Sequence, residues 1–395
     1  MESVIPIQVS GSQKRTSRFF TMIVSAGFIL TGTVNTLAGP LLPILALRWT
    51  LSDSQAGYFF TAQFLGSIAG VSLSSFLAAQ RGFRFTIGFS YLLMAFGVSA
   101  LELPEWKYAL MGATILGVGF GAAIPATNLF ISHANQRRRA SALSLVNLFW
   151  GIGAVLSPVA IYAATRHNHV SLFLMVLSLL LICFAASLVW ISDANLASAT
   201  KPIEPQRISS EWKFITILGA MFFLYVAIES TAGGWIATLA KRVSANGSGK
   251  WILAPSLFWG GLLAGRGLAP LALKRFSERQ VAITGLIAAG LSMCILITSP
   301  ERQWIITAGL VVGLGLAAVF PITVALLSRF QHTQTARAGP MFALAGLGGA
   351  TMPWLTGVVS TWTGSLKTGL LVPLLGTAIL IWLHVIGNHG SHSIE

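Results

Sequence analysis

Gly117-Val-Gly-Phe-Gly-Ala-Ala-Ile-Pro-Ala-Thr127 returns, 196 residues later, as Gly313-Leu-Gly-Leu-Ala-Ala-Val-Phe-Pro-Ile-Thr323. Two glycines, an alanine, the proline and the threonine coincide at one fixed offset. A second pair follows, one residue out of that offset: Gly151-Ile-Gly-Ala-Val-Leu-Ser-Pro158 and Gly346-Leu-Gly-Gly-Ala-Thr-Met-Pro353. Each copy is embedded in an apolar run of about 20 residues or more, the length a helix needs to cross a bilayer core. The chain is therefore built twice from membrane-spanning helices, with small residues dense where helices must approach closely without water to drive them together.

Working outward from the repeat gives twelve such runs, at residues 18–47, 53–79, 84–102, 106–132, 139–163, 170–191, 213–239, 251–273, 280–299, 303–328, 337–361 and 366–387. The longest polar connection, with Pro202, Pro205 and mixed charges, falls in the middle. The expected fold is an all-α membrane protein of twelve transmembrane helices in two pseudo-symmetric six-helix bundles. Residues 1–191 form the first half, 192–211 a cytoplasmic linker, and 212–395 the second half with a short tail. Repeats of this kind place a solute path between the halves near the midplane.

Composition excludes other classes. Of 395 residues, 54% are hydrophobic and 9% charged, where a soluble domain carries about 25% charged residues. The net charge of +14 resides in short loops and not in a basic patch, which speaks against nucleic acid. Sixteen Lys and Arg fall on one set of connections and eight on the other. Basic residues accumulate on the cytoplasmic side, so both termini are expected there. The short loops suit a compact monomer in a bacterial inner membrane, with the bilayer and a small solute as its partners. Cys183 and Cys294 are far apart in sequence and read as small core residues, not as a disulfide or metal pair. No cofactor or metal is implied beyond a coupling ion, and no paired carboxylates or nucleophile with base suggest an enzyme.

Of the eleven acidic residues, Glu229 alone lies deep inside an apolar run. A charge at the bilayer centre costs about 2.5–3.5 kcal/mol on insertion scales, so it marks a solute or ion path. No basic residue is expected at its depth. Three roles are open to it: taking a proton, holding Na+, or accepting hydrogen bonds from solute hydroxyls. Gly233 and Gly234 are expected to loosen the helix there, with Trp235 in a gate. Asn35, Gln63, Asn128, Asn147, Thr231 and Thr323 lie at similar depth, and amides suit a hydroxyl-rich solute because they both donate and accept. Trp150, Trp235, Trp259 and Trp354 lie deeper than the other tryptophans and offer faces for a sugar ring or fill space. Arg84 and Arg266 fall toward the cytoplasmic end, Arg266 as a side chain that snorkels or caps helix ends at an inner gate.

Twelve spans in two sixes, with a basic loop between spans two and three, resemble the major facilitator superfamily over nearly the whole chain. The loop Ser75-Phe-Leu-Ala-Ala-Gln-Arg-Gly-Phe-Arg84 keeps Gly82 and Arg84 of the family pattern and lacks its acidic residue. Span seven, Tyr225-Val-Ala-Ile-Glu-Ser-Thr-Ala-Gly-Gly-Trp235, resembles the fucose and glucose/galactose symporter branch and its sodium-glucose relatives, with Ala227 in place of a glycine. That resemblance implies secondary transport of a monosaccharide coupled to H+ or Na+ through Glu229. Spans one and four lack the carboxylates of the proton-coupled members, so uncoupled facilitation stays open within this reading, and proton-coupled efflux of drugs or metabolites is the second expectation.

Overall fold

The computed structural model describes residues 11–135, 139–189, 212–243, 249–331 and 338–386. The expected linker 192–211 lies outside them. The described helices are α1 (Gly11–Thr36), α2 (Ala38–Arg48), α3 (Asp53–Ala100), α4 (Trp106–Ala134), α5 (Arg139–Arg166), α6 (Val170–Val189) and α7 (Trp212–Val243). The second half continues with α8 (Leu253–Ala272), α9 (Glu278–Thr298), α10 (Arg302–Leu316), α11 (Val319–Gln331), α12 (Ala338–Thr363), α13 (Leu366–Gly369) and α14 (Leu371–Ile386).

These helices map onto the twelve expected spans. Among the described residues nine are long and apolar enough to cross a membrane, or ten when α1 and α2, bent by 41°, count as one. The other two are the second limb of α3 and α8, whose apolar run is diluted by Gly260, Gly261, Gly265, Arg266 and Gly267. Helix α3 has 48 residues, about 72 Å at 1.5 Å per residue, more than twice a bilayer core. Its two limbs meet at Gly82, where φ is +78°, a conformation that a side chain resists. The chain reverses there, as the contacts along α4 show. A Cβ on Gly117 or Gly121 would strike the carbonyls of Gln63 or Ser67, so the first limb runs parallel to α4. Gly112 and Gly119 meet Gly97 and Ser90 instead, so the second limb runs antiparallel.

Spans one, ten and twelve are each interrupted, between α1 and α2, α10 and α11, and α13 and α14. Pro40 has no N–H to offer the Thr36 carbonyl, and α1 ends at Thr36. Pro321 likewise leaves the Ala317 carbonyl without its donor, and the chain breaks between α10 and α11. Pro125, at the equivalent place of the repeat, sits inside a continuous α4. A proline removes one ladder bond and clashes with the preceding turn, so a kink follows only where neighbours accommodate it.

The sequence repeat is a repeat of contacts. A Cβ on Gly117 would lie 2.0 Å from the Gln63 carbonyl oxygen, and one on Gly313 would lie 2.1 Å from that of Phe258. Gly119 abuts Ser90 as Gly315 abuts Gly285. Gly153 would place a Cβ 1.9 Å from the Ile29 oxygen, and Gly348 one 2.0 Å from that of Phe223. The same helix pairs are thus held at backbone contact in both halves, as expected where small residues set helix approach in a membrane. Large apolar side chains such as Phe76, Phe96, Met111, Met175, Leu291 and Leu375 are exposed, a surface suited to lipid and not to water. Cys183 and Cys294 are also exposed. Their expected place in the core is corrected, because α6 and α9 turn these positions toward the apolar outer surface.

Candidate substrate site between the two halves

Glu229 does have a base at its depth, against expectation. Arg266 of α8 brings its Nη2 to 3.8 Å from Glu229 Oε2, with side chains 27% and 15% exposed respectively. The reason lies in the α7–α8 hairpin. Glu229 stands fourteen residues before the end of α7 at Val243, and Arg266 thirteen after the start of α8 at Leu253, about 21 and 20 Å from the connection. Arg266 therefore reaches inward to the carboxylate and does not snorkel to a surface. Removing either member would leave an uncompensated buried charge, a loss of about 3–5 kcal/mol.

The pair is in Coulombic contact but beyond hydrogen-bond distance. Tyr225, one turn before Glu229 on the same face of α7, is buried beside both charges. Its hydroxyl is within polar reach of both Glu229 and Arg266, but neither it nor the Arg266 Nε meets a partner at hydrogen-bond distance and angle among the described residues. Across the interface, the ring of Trp150 on α5 lies 5.7 Å from the Arg266 guanidinium carbon, within cation–π range. Trp259 of α8 meets Trp150 edge-on, with centroids 5.8 Å apart at 84°. The Trp150 indole nitrogen is also buried and unpartnered. The site thus joins one helix of the first half to two of the second.

The remaining candidates divide by what their polar atoms do. Asn35 sits at the α1–α2 bend, where its backbone carbonyl accepts from Gln63 Nε2 at 3.4 Å. Asn128 Oδ1 and Trp354 Nε1 are buried without partners. Thr231 and Thr323 are fully buried and donate to Ala227 and Val319 of their own helices, at 2.6 and 2.8 Å. Asn147 is exposed and bonds back to the Leu143 carbonyl. Arg84 lies two residues past the Gly82 reversal.

One end of the interface is shut. Arg242 of α7 holds Asp53 of α3 with two hydrogen bonds, at 2.6 and 2.8 Å. Ser360 of α12 also donates to Asp53, Lys241 donates to the Pro43 carbonyl, and the Ser54 amide donates to Thr361. Below them Trp235 Nε1 donates to the Pro353 carbonyl at 2.9 Å and its ring lies 6.2 Å from that of Phe60. Helix α7 runs unbroken past Gly233 and Gly234, so the expected loosening does not occur. These glycines serve close approach instead: a Cβ on Gly39 would lie 2.6 Å from the Gly233 oxygen, and one on Gly234 would strike the Phe60 ring.

The family pattern described as Major Facilitator Superfamily matches residues 24–336. This chain belongs to the Major Facilitator Superfamily. Membership makes it a membrane transporter and not an enzyme. It is 24% identical over 380 residues to a glucose/mannose transporter of Bacillus subtilis, covering 91% of each chain. It is 22% identical over 410 residues to a glucose/galactose transporter of Brucella abortus, covering 97% of each. The solved fold of the Escherichia coli fucose:proton symporter superposes with a TM-score of 0.63 at 17% identity, covering 95% of this chain and all of that one. Sequence reasoning about this facilitator missed the Arg266 pairing, the place of Tyr225 beside it, and the Asp53–Arg242 closure. Counting residues from the shared α7–α8 connection, in place of the far helix ends, would have found the first.

Proposed function

We propose that this facilitator carries a neutral monosaccharide across a bacterial inner membrane by alternating access of its two halves. The observation that carries the proposal is the constellation of Glu229, Arg266, Tyr225 and Trp150 at the interface. It contains a carboxylate and a guanidinium 3.8 Å apart, beside a hydroxyl, a guanidinium Nε and an indole N–H that meet no partner at hydrogen-bond distance and angle among the described residues. A sugar hydroxyl both donates and accepts, so it can bridge the 3.8 Å gap, accepting from Arg266 and donating to Glu229. Trp150 and Trp259 supply apolar faces for the ring's C–H groups. The relatives named for glucose, mannose and galactose support a hexose.

The distribution of basic residues supports cytoplasmic termini. That orientation makes the Asp53 end the outer one, so this conformation is closed toward the outside. The carrier works as a monomer, since each chain contains both halves of the path. Counterflow of labelled hexoses and pentoses in proteoliposomes tests the assignment. Saturable exchange of at least one hexose is expected, and the absence of exchange across the whole panel would overturn it.

A further inference from the structure

Glu229 is the sole acidic residue deep within an apolar span, and its neighbour decides whether it can accept an ion. We propose that Arg266 is the permanent counter-cation of Glu229, so that this carrier moves sugar without a coupling ion. The inference rests on the monosaccharide assignment above and replaces the coupling expected from sequence.

Three observations carry it. First, the two charges sum to zero at 3.8 Å, and a guanidinium cannot be deprotonated in a protein. Among the described residues, the charged or titratable groups facing Glu229 are Arg266 from α8 and Tyr225 from its own helix. Adding H+ or Na+ to this set leaves a net positive charge in a low-dielectric interior, which is unfavourable.

Second, both partners ride in the same half. Alternating access is largely rigid-body rocking of one half against the other, and α7 and α8 are joined by a short connection. Rocking keeps Glu229 and Arg266 together in both states. It separates Asp53 from Arg242, which belong to different halves. A carboxylate that accepts a coupling ion must lose its fixed counter-charge at some stage of the cycle, and Glu229 does not.

Third, the first half places no carboxylate at the depth of Glu229 among the described residues. The Gly153–Ile29 and Gly348–Phe223 contacts relate span one to span seven by a shift of 194 residues, which places Asn35 opposite Glu229 in the pseudo-symmetry. Span four carries Asn128. Amides cannot pass a proton charge along the path or neutralise a bound cation.

The test uses the purified full chain in proteoliposomes with a labelled hexose that shows counterflow. The wild type is expected to equilibrate sugar and no more under an imposed proton gradient, Na+ gradient or membrane potential. One coupled charge would give about fiftyfold accumulation at 100 mV, and gradient-driven accumulation above twofold would overturn the inference while leaving the sugar assignment intact. Arg266→Gln uncovers the carboxylate, so its counterflow should rise at least fivefold with added Na+ or on acidification. The double variant Glu229→Gln/Arg266→Gln should regain indifference to both cations, whatever its KM. An Arg266→Gln protein as indifferent as the wild type would also overturn the proposal. If no sugar is exchanged, the sugar assignment falls, and binding of radiolabelled Na+ to detergent-purified protein still decides the charge balance. Arg266→Gln is expected to bind it and the wild type not; stoichiometric binding by the wild type would overturn the proposal.

Discussion

Arg242 grips Asp53 across the two halves through both carboxylate oxygens, and it does so at the one end of the interface where Ser360, Lys241 and the Ser54 amide also cross. Asp53 opens α3 directly after its cap, Ser52, whose side chain accepts from the Gln55 amide while Gln55 returns a bond to the Ser52 N–H. The carboxylate is thus fixed on a rigid helix start before Arg242 reaches it. A contact between halves that must rock apart is one whose energy sets the balance of the two states.

Asp53→Asn should shift that balance toward the state open at this end. Arg242 is 47% exposed and Asp53 10%, so solvent screening limits the pair to about 0.5–1 kcal/mol, or roughly a two- to fivefold change in the ratio of states. Spin labels at Leu47→Cys and Trp362→Cys, two exposed positions on opposite halves, placed in a Cys183→Ala/Cys294→Ala background, report it. The longer-distance population should grow by that factor, and high salt should produce part of the same shift in the unsubstituted pair. An unchanged distance distribution would show that the ion pair does not latch the closed state.

Phe60→Ala loosens the same end by a different force. It removes the ring that faces Trp235 across the halves and fills the space at Gly234, while the Trp235 bond to the Pro353 carbonyl lies within the second half and is retained. An aromatic pair contributes about 0.5–1.5 kcal/mol beyond its burial, so the same spin-label pair should open by roughly two- to tenfold, now without salt dependence. Salt sensitivity equal to that of Asp53→Asn would mean that the ring contact is not an independent part of the closure.

Much of this was legible in the chain because membranes leave few solutions. The Gly117 and Gly313 segments announced two halves, and the structure shows why: each glycine lets its helix touch a backbone carbonyl of a neighbour. Glu229 was legible from its isolation. The role of Arg266 was not, because α7 has 32 residues and α8 has 20, so depths counted from their far ends disagree although both residues stand equally far from the shared connection. Gly233 and Gly234 misled for another reason. Two adjacent glycines permit a break, but whether a helix breaks depends on its neighbours, and here Gly39 and Phe60 fill the space the glycines leave. Asp53–Arg242 was out of reach altogether, since it belongs to one conformational state of a pair 189 residues apart.

If the repeat is a repeat of contacts, equivalent substitutions should be equally damaging. Gly153→Ala and Gly348→Ala would each put a Cβ within about 2 Å of a carbonyl oxygen, an overpacking that costs roughly 1–3 kcal/mol. Thermal unfolding followed by fluorescence-detected size exclusion should show both midpoints lowered by similar amounts. Gly260→Ala, on a helix with nothing within 4 Å of the new methyl, should be neutral or slightly stabilising, because alanine is favoured over glycine in a helix by about 1 kcal/mol. A large loss at Gly260, or an effect at only one of the paired positions, would contradict the equivalence.

Trp150 separates hydrogen bonding from stacking at the site. Its ring covers the Arg266 guanidinium and meets Trp259, while its indole nitrogen has no partner of its own. Trp150→Phe retains a ring and removes the donor, and should raise the KM of counterflow by about fivefold, the worth of one hydrogen bond near 1 kcal/mol. Trp150→Ala removes the ring as well and should raise it by roughly tenfold or more, since cation–π and stacking contributions of about 0.5–2 kcal/mol are then also lost. Deoxy sugars turn this into a cycle. The wild type should discriminate against the one deoxy sugar that lacks the hydroxyl bound by Trp150, and Trp150→Phe should lose that discrimination while keeping any against the others. A coupling energy of zero for every deoxy sugar would mean that Trp150 only packs, leaving the sugar's hydroxyls to Glu229, Arg266 and Tyr225.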